Sequence, residues 1–135
     1  MTDPRSTTTL PPGKEPTIRV IPMPADANHT GDIFGGWIMA QVDLAGAVPA
    51  MRVAKGRVAT VAVNSFVFKQ PVFVGDVVSF YSEVVRVGRT SITVSVEVYA
   101  QHRSAADTVA KVTEAVLTYV AVDENRRPRV VSTQQ

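Results

Sequence analysis

The sequence predicts an α+β fold in which one long central helix is wrapped by a curved antiparallel sheet of about five to six strands. Three observations carry this. The aliphatic residues are 25 Val and 5 Ile against 3 Leu, and β-branched side chains are stiff at χ1 and pack well on a pleated sheet. Only one stretch, Trp37 to Lys55, reads as a long helix, since its interior carries Met, Ala, Gln and Leu and few β-branched residues. No second helix is present to take its apolar stripe, so the sheet must take it.

The elements follow in order. Residues 1–16 are rich in Thr and Pro, lack periodicity and read as a flexible tail. Thr17–Pro22 is a short strand, ended by Pro22 and Pro24. A turn-prone stretch from Ala25 to Asp32 leads through Ile33-Phe34-Gly35-Gly36 into the helix. Pro49 is expected to kink it. After Gly56, Arg57–Lys69 alternates in a strand pattern. A turn at Pro71 and Gly75-Asp76 follows, then a strand at Val77–Val87, a tight turn at Gly88-Arg89-Thr90 and a strand at Ser91–His102. Ser104–Asp107 reads as a loop and Thr108–Val122 as the last strand. Both faces of that strand are apolar, which places it inside the sheet. A single helix wrapped in this way is the hotdog architecture. The expected organisation is a single hotdog domain over 17–130, with a flexible C-terminus at 131–135.

At 135 residues and 14.5 kDa there is room for one domain. Hydrophobic residues make up 45% and charged residues 19%, which excludes disorder of the whole chain. No apolar run approaches the roughly 20 residues that span a bilayer, and the N-terminus has no signal-peptide h-region. Zero Cys excludes disulfides, thiolate metal sites and a Cys nucleophile, and fits a cytoplasmic location. A net charge of +2, part of it in Arg126, Arg127 and Arg129, is no nucleic-acid footprint. The expected partners therefore include neither nucleic acid nor membrane.

From Gly35 to Met51 the helix holds one ionisable residue, Asp43. Its neighbours three and four residues away are Met39, Ala40, Gly46 and Ala47, all apolar or small. The ordinary reading of a lone helical Asp is that it faces solvent or caps something nearby. Against that, Arg52 and Lys55 wait until the last turn, so no solvated charged face surrounds it. The Gly35-Gly36 start allows a backbone to approach a ligand closely with free N–H groups. Taken alone, Gly-Gly reads more readily as a tight strand-to-helix turn.

Several chemistries are unsupported. The two His, His29 and His102, belong to no G-x-S-x-G elbow and to no cluster with metal-ligand spacing. No phosphate-binding glycine loop is present. What remains is a carboxylate, a carboxamide and backbone N–H groups. That set suits water activation against a reactive carbonyl such as a thioester.

Residues 24–48, PADANHTGDIFGGWIMAQVDLAGAV, carry the string Asn-x-x-Gly-Asp-Ile-Phe-Gly-Gly-Trp and then Asp43. This resembles the signature of hotdog-fold acyl-CoA thioesterases of the small bacterial YciA-like type. The resemblance extends through Gly56–Val63, Lys69–Val72, Val74–Val78, Val87–Ser91, Thr113–Ala115 and Tyr119–Asp123, and so covers about residues 17–130.

The resemblance implies the following roles. Asp43 is the catalytic acid, as general base or nucleophile. Asn28 orients water or the thioester. The N–H groups of Gly35 and Gly36 polarise the carbonyl. Gly88, Arg89, Thr90 and Ser91 hold CoA, with Arg89 either a phosphate contact or an ordinary exposed hairpin charge. The active site lies at a dimer interface, with Asn28 and Asp43 from different chains, in a trimer of dimers. No metal or separate cofactor is expected, since CoA is part of the substrate. His29-Thr30 departs from the family pattern. So does Asn64, where an acidic residue is common, which bears on acyl-chain preference. Two other functions compete: a non-catalytic acyl-CoA or nucleotide-binding module, and an enoyl-CoA hydratase. The hydratase string pairs an Asp with a His, and Gly31 occupies that His position here.

Overall fold

The structure, a computed structural model, describes residues 3–131. Strand β1 is Ile18–Val20, and a 3-10 turn spans Pro24–Asp26. Helix α1 is Gly35–Ala54. The remaining strands are β2 (Val58–Phe68), β3 (Val77–Val87), β4 (Ser91–His102) and β5 (Ala105–Ala121). The sheet order is β1-β3-β4-β5-β2, with every neighbouring pair antiparallel. The helix packs against β2, β3, β4 and β5. The predicted architecture is thus the observed one, with five strands.

Details differ from the expectation. The helix starts at Gly35, so both glycines lie in its first turn. Lys55 closes it in the left-handed conformation, φ 55°. β1 is shorter than Thr17–Pro22 because the prolines cannot continue a ladder. β5 begins at Ala105, so the expected Ser104–Asp107 loop is mostly strand. A tight turn joins β4 to β5, drawn in by the Ser104 N–H donating to His102 Nδ1 at 3.1 Å.

The core lies between helix and sheet. Ile38, Val42, Ala45, Ala50 and Ala54 meet Val78, Phe80, Ile92, Val94, Leu117 and Tyr119. Small helix residues let the sheet come close. The tightest approach is at Gly46, where a Cβ would clash with the Tyr119 hydroxyl. Outside this core, β2 is an edge strand with Val61, Val63, Val67 and Phe68 exposed, and nothing among the described residues pairs with its outer edge. Met39, Leu44 and Met51 are exposed on the helix.

The N-terminal segment, expected as a flexible tail, lies on the domain from residue 3 onward. Thr8 bridges Val109, Leu10 packs on Tyr81 and Tyr99, and Arg5 is buried. At the other end Val131 is buried and its N–H donates to the Arg89 carbonyl. The rest of the expected flexible C-terminus, 132–135, lies outside the described residues. No helix among the described residues is long and apolar enough to cross a membrane.

Candidate active site

Asp43 projects from the middle of α1 toward two strands. The Tyr119 hydroxyl donates to its backbone carbonyl at 2.8 Å and to Oδ1 at 3.2 Å. The Thr60 hydroxyl donates to the same Oδ1 at 2.7 Å. Thr60 and Tyr119 are register partners on β2 and β5, so one rung of the sheet supplies both donors. Burial pushes the Tyr119 phenol well above its ordinary pKa, and the adjacent Asp43 carboxylate adds to the shift. Tyr119 therefore keeps its proton and acts as a fixed donor. Two hydroxyls hold Oδ1, and no hydrogen bond from the described residues engages Oδ2.

Asn28 lies in the loop between the 3-10 turn and α1. Its Oδ1 accepts from the Thr30 N–H at 2.9 Å, the Thr30 hydroxyl at 2.7 Å and the Asp32 N–H at 3.1 Å. Thr30, a departure from the family pattern, is thus one of the groups that fixes this amide. Gly31 turns the loop at φ 97°, a conformation that disfavours side chains. The Asp32 carbonyl accepts the Asn28 N–H at 2.7 Å, which closes the loop on itself.

Gly35 and Gly36 open the helix behind Phe34, which supplies no side-chain cap. First-turn N–H groups have no intrahelical acceptor. Gly36 faces open space, and a Cβ on Gly35 would press on the Phe68 ring at 3.1 Å. Gly35 and Asn28 line one cavity of about 360 Å³ with Ile38, Phe68, Gln70 and Val72.

Asp43 is not in that cavity. It stands eight residues beyond Gly35 on the helix, which is about 12 Å at 1.5 Å per residue. The Gly88–Ser91 turn lies farther away. The Thr90 carbonyl accepts the Ala121 N–H, at the Val58 end of β2, whereas the cavity lies at the Phe68 end. Ten strand residues separate those ends, roughly 30 Å. Arg89 is exposed there. Within one chain, then, Asn28 and Gly35 come together, while Asp43 and the Gly88–Ser91 turn stand apart from them.

Thr60 and Tyr119 are the site residues that sequence reasoning missed. Their one signal, the strand alternation, does not reveal register. His29 is exposed and His102 is bound up in its turn. Among the described residues no group of three or more His, Cys, Asp or Glu side chains gathers as for a metal ion.

A sheet curled on one long helix, a carboxylate at mid-helix and a cavity at the helix start define a hotdog-fold protein with a carboxylate site. The chain belongs to the thioesterase superfamily, whose family model matches residues 30–106. It is 44% identical over 129 residues to the acyl-CoA thioester hydrolase YciA of Escherichia coli, covering 93% of this chain and 97% of that one. The hexameric thioesterase of Yersinia pestis is 46% identical with a TM-score of 0.84, covering 91% of this chain and 99% of that one. A hexameric broad specificity acyl-coenzyme A thioesterase, solved as an aspartate-to-alanine mutant, is 44% identical with a TM-score of 0.86. That match covers 90% of this chain and 89% of that one.

Proposed function

We propose that the chain hydrolyses acyl-CoA thioesters to a free carboxylic acid and CoA. The single observation that carries this is the Asp43 carboxylate, held at mid-helix through Oδ1 by two hydroxyls, with Oδ2 unengaged among the described residues. The relatives' names support the substrate class.

In this reading the thioester carbonyl lies in the Asn28 cavity. Its oxygen accepts from the first-turn N–H groups of Gly35 and Gly36, which stabilise the negative charge that develops there. Asn28, fixed through Oδ1, presents Nδ2 to the thioester or the water. Asp43 Oδ2 takes a proton from water as the water oxygen bonds to the carbonyl carbon. The tetrahedral intermediate then collapses, the C–S bond breaks, and the CoA thiolate leaves as the thiol by taking the proton that Asp43 accepted. The same carboxylate is also placed to attack the carbon itself, giving an anhydride that water opens. A single turnover in ¹⁸O-labelled water identifies direct attack when label enters Asp43, which happens when water opens the anhydride at the aspartyl carbon.

The separation of Asp43 from the cavity within one chain supports a site shared between two chains. The free outer edge of β2, with Val61, Val63 and Val67 exposed, suits antiparallel pairing with a second copy. Pairing centred on Val63 sets Thr60 of one chain opposite Phe66 of its partner. The Asp43 cluster of each chain then reaches the Gly35 end of the other. Three such dimers give the hexamer seen in the relatives. The Gly88–Ser91 turn, with Arg89 toward phosphate, holds CoA, and the absence of Cys fits work in the reducing cytoplasm.

The test is thiol release from acyl-CoA. Asp43→Ala should lose about 10²–10⁴ in kcat, the usual contribution of general base action. Full activity in a folded Asp43→Ala variant overturns the mechanism.

A further inference from the structure

Arg5 uses all of its donors in a buried setting. Its side chain is 1% exposed, and those of Asp76 and Asp3 are 2% and 5% exposed. Nη1 donates to Asp76 Oδ2 at 2.6 Å and to the Pro71 carbonyl at 3.1 Å. Nη2 donates to Asp3 Oδ2 at 2.7 Å and to Asp76 Oδ1 at 3.3 Å, and Nε donates to Asp3 Oδ1 at 2.9 Å. The guanidinium also lies over the Phe73 ring, 4.6 Å from its centroid. A surface tail would need none of this.

The contacts converge on one loop. Asp76 Oδ2 accepts the Phe73 N–H at 2.9 Å, so Arg5 and Asp76 together fix the turn from Pro71 to Asp76. Gln70, Pro71 and Val72 form one wall of the Asn28 cavity. The Val72 carbonyl accepts the Ile33 N–H at 2.9 Å, and Phe73 bridges Asp32. Asp32 in turn donates its N–H to Asn28 Oδ1. Hydrogen bonds, joined through the backbone at Val72-Phe73 and Asp32-Ile33, therefore connect Arg5 through the loop to the Asn28 amide.

We infer that Arg5 is a positioning residue: the N-terminal segment clamps the Pro71–Asp76 loop and through it sets the geometry of Asn28 and the cavity wall. Burying one guanidinium with two carboxylates is seldom the most stabilising use of a site. Its fork geometry, engaging two carboxylates and a carbonyl, instead fixes orientation. The catalytic consequence rests on the thioesterase reading, while the coupling of Arg5 to the Asn28 loop does not.

The experiment combines amide hydrogen exchange with steady-state kinetics on full-length Arg5→Gln, Arg5→Lys and a core control, Val96→Ala. Arg5→Gln should speed exchange at Asn28, Asp32, Ile33 and Phe73 by about tenfold or more, leaving β4 and β5 protected. It should lower kcat by about tenfold with little change in KM, as misplacement of a reacting group does. Arg5→Lys, which keeps a charge for Asp76 but lacks the fork, should fall between Arg5→Gln and wild type in both readouts. Val96→Ala should lower the melting temperature while the folded enzyme keeps its kcat. Unchanged exchange at Asn28 and Asp32 overturns the clamp. So does a uniform rise across the sheet. Faster exchange at the loop with an unchanged kcat keeps the coupling and overturns the positioning role in catalysis. A wild-type protein that releases no thiol refutes the thioesterase reading alone, because the exchange pattern is read independently of turnover.

Discussion

The Tyr119 hydroxyl donates to both the backbone carbonyl and the carboxylate of Asp43, at 2.8 and 3.2 Å. A strand residue thereby fixes a helix residue 76 positions away. Gly46 makes the approach possible, since a Cβ at that position would strike the same hydroxyl. Tyr119→Phe removes the donor and keeps the ring. It should cost about 1 kcal/mol in stability and lower kcat with KM nearly unchanged. Urea unfolding and steady-state kinetics on one preparation check both. A fall in stability with kcat intact would make Tyr119 a packing residue only.

Gly46→Ala tests the same contact from the helix side. The added methyl must push Tyr119 away, and overpacking of this kind costs about 1–3 kcal/mol. The Gly46→Ala, Tyr119→Phe double variant should recover part of that loss, because the clashing oxygen is gone. A double-mutant cycle with no coupling contradicts the close approach.

The N-terminal clamp carries a pH signature. Asp3 is held at about 2, below its ordinary 3.8, chiefly by the side-chain hydrogen bond from Arg5. A carboxylate lowered in the folded state favours folding above its unfolded pKa, and that contribution is lost as pH falls through the folded value. The melting-temperature gap between wild type and Asp3→Asn should be level above about pH 5 and narrow from about pH 4 toward 2. Glu114, held at about 2 by hydrogen bonds from Lys111 and then Lys69, titrates in the same window in both proteins. A gap independent of pH would show that the Asp3 charge does no work in the clamp.

The open edge of β2 predicts assembly. Val63 is 43% exposed on that edge strand, so Val63→Asp disturbs little within one chain. In a paired edge it places two like charges beside each other. Size-exclusion chromatography with light scattering should show the hexamer or dimer reduced to monomer, with thiol release lost alongside. A variant that stays assembled and active places the interface elsewhere.

The helix and the long strands were legible because their signals are local. Valine-rich alternation ends at glycine and proline turns, and the helix stands out by the Met, Ala, Gln and Leu of its interior. Asp43 was legible as the lone charge on that helix, and Asn28 and Gly35-Gly36 through the family string. Thr60 and Tyr119 were not, because their meeting depends on the β2–β5 register and two register shifts interrupt that pairing. Arg5 was hidden among Thr and Pro residues that read as a tail, and its partner Asp76 is 71 positions away. The early start of β5 turned on a contact between Ser104 and His102 that no propensity encodes.

The central claim is that Asp43 of one chain acts on a thioester held at Asn28 and Gly35 of another. Subunit complementation tests it most directly. Asn28→Ala and Asp43→Ala, each inactive alone, are mixed after denaturation and refolded together. In every mixed dimer one shared site then has both residues intact and the other has neither. Random pairing makes half the dimers mixed, so about a quarter of the wild-type rate should return. If Asn28 and Asp43 instead worked within one chain, no mixed dimer would hold an intact site, and a mixture as inactive as its two parents would contradict the shared site.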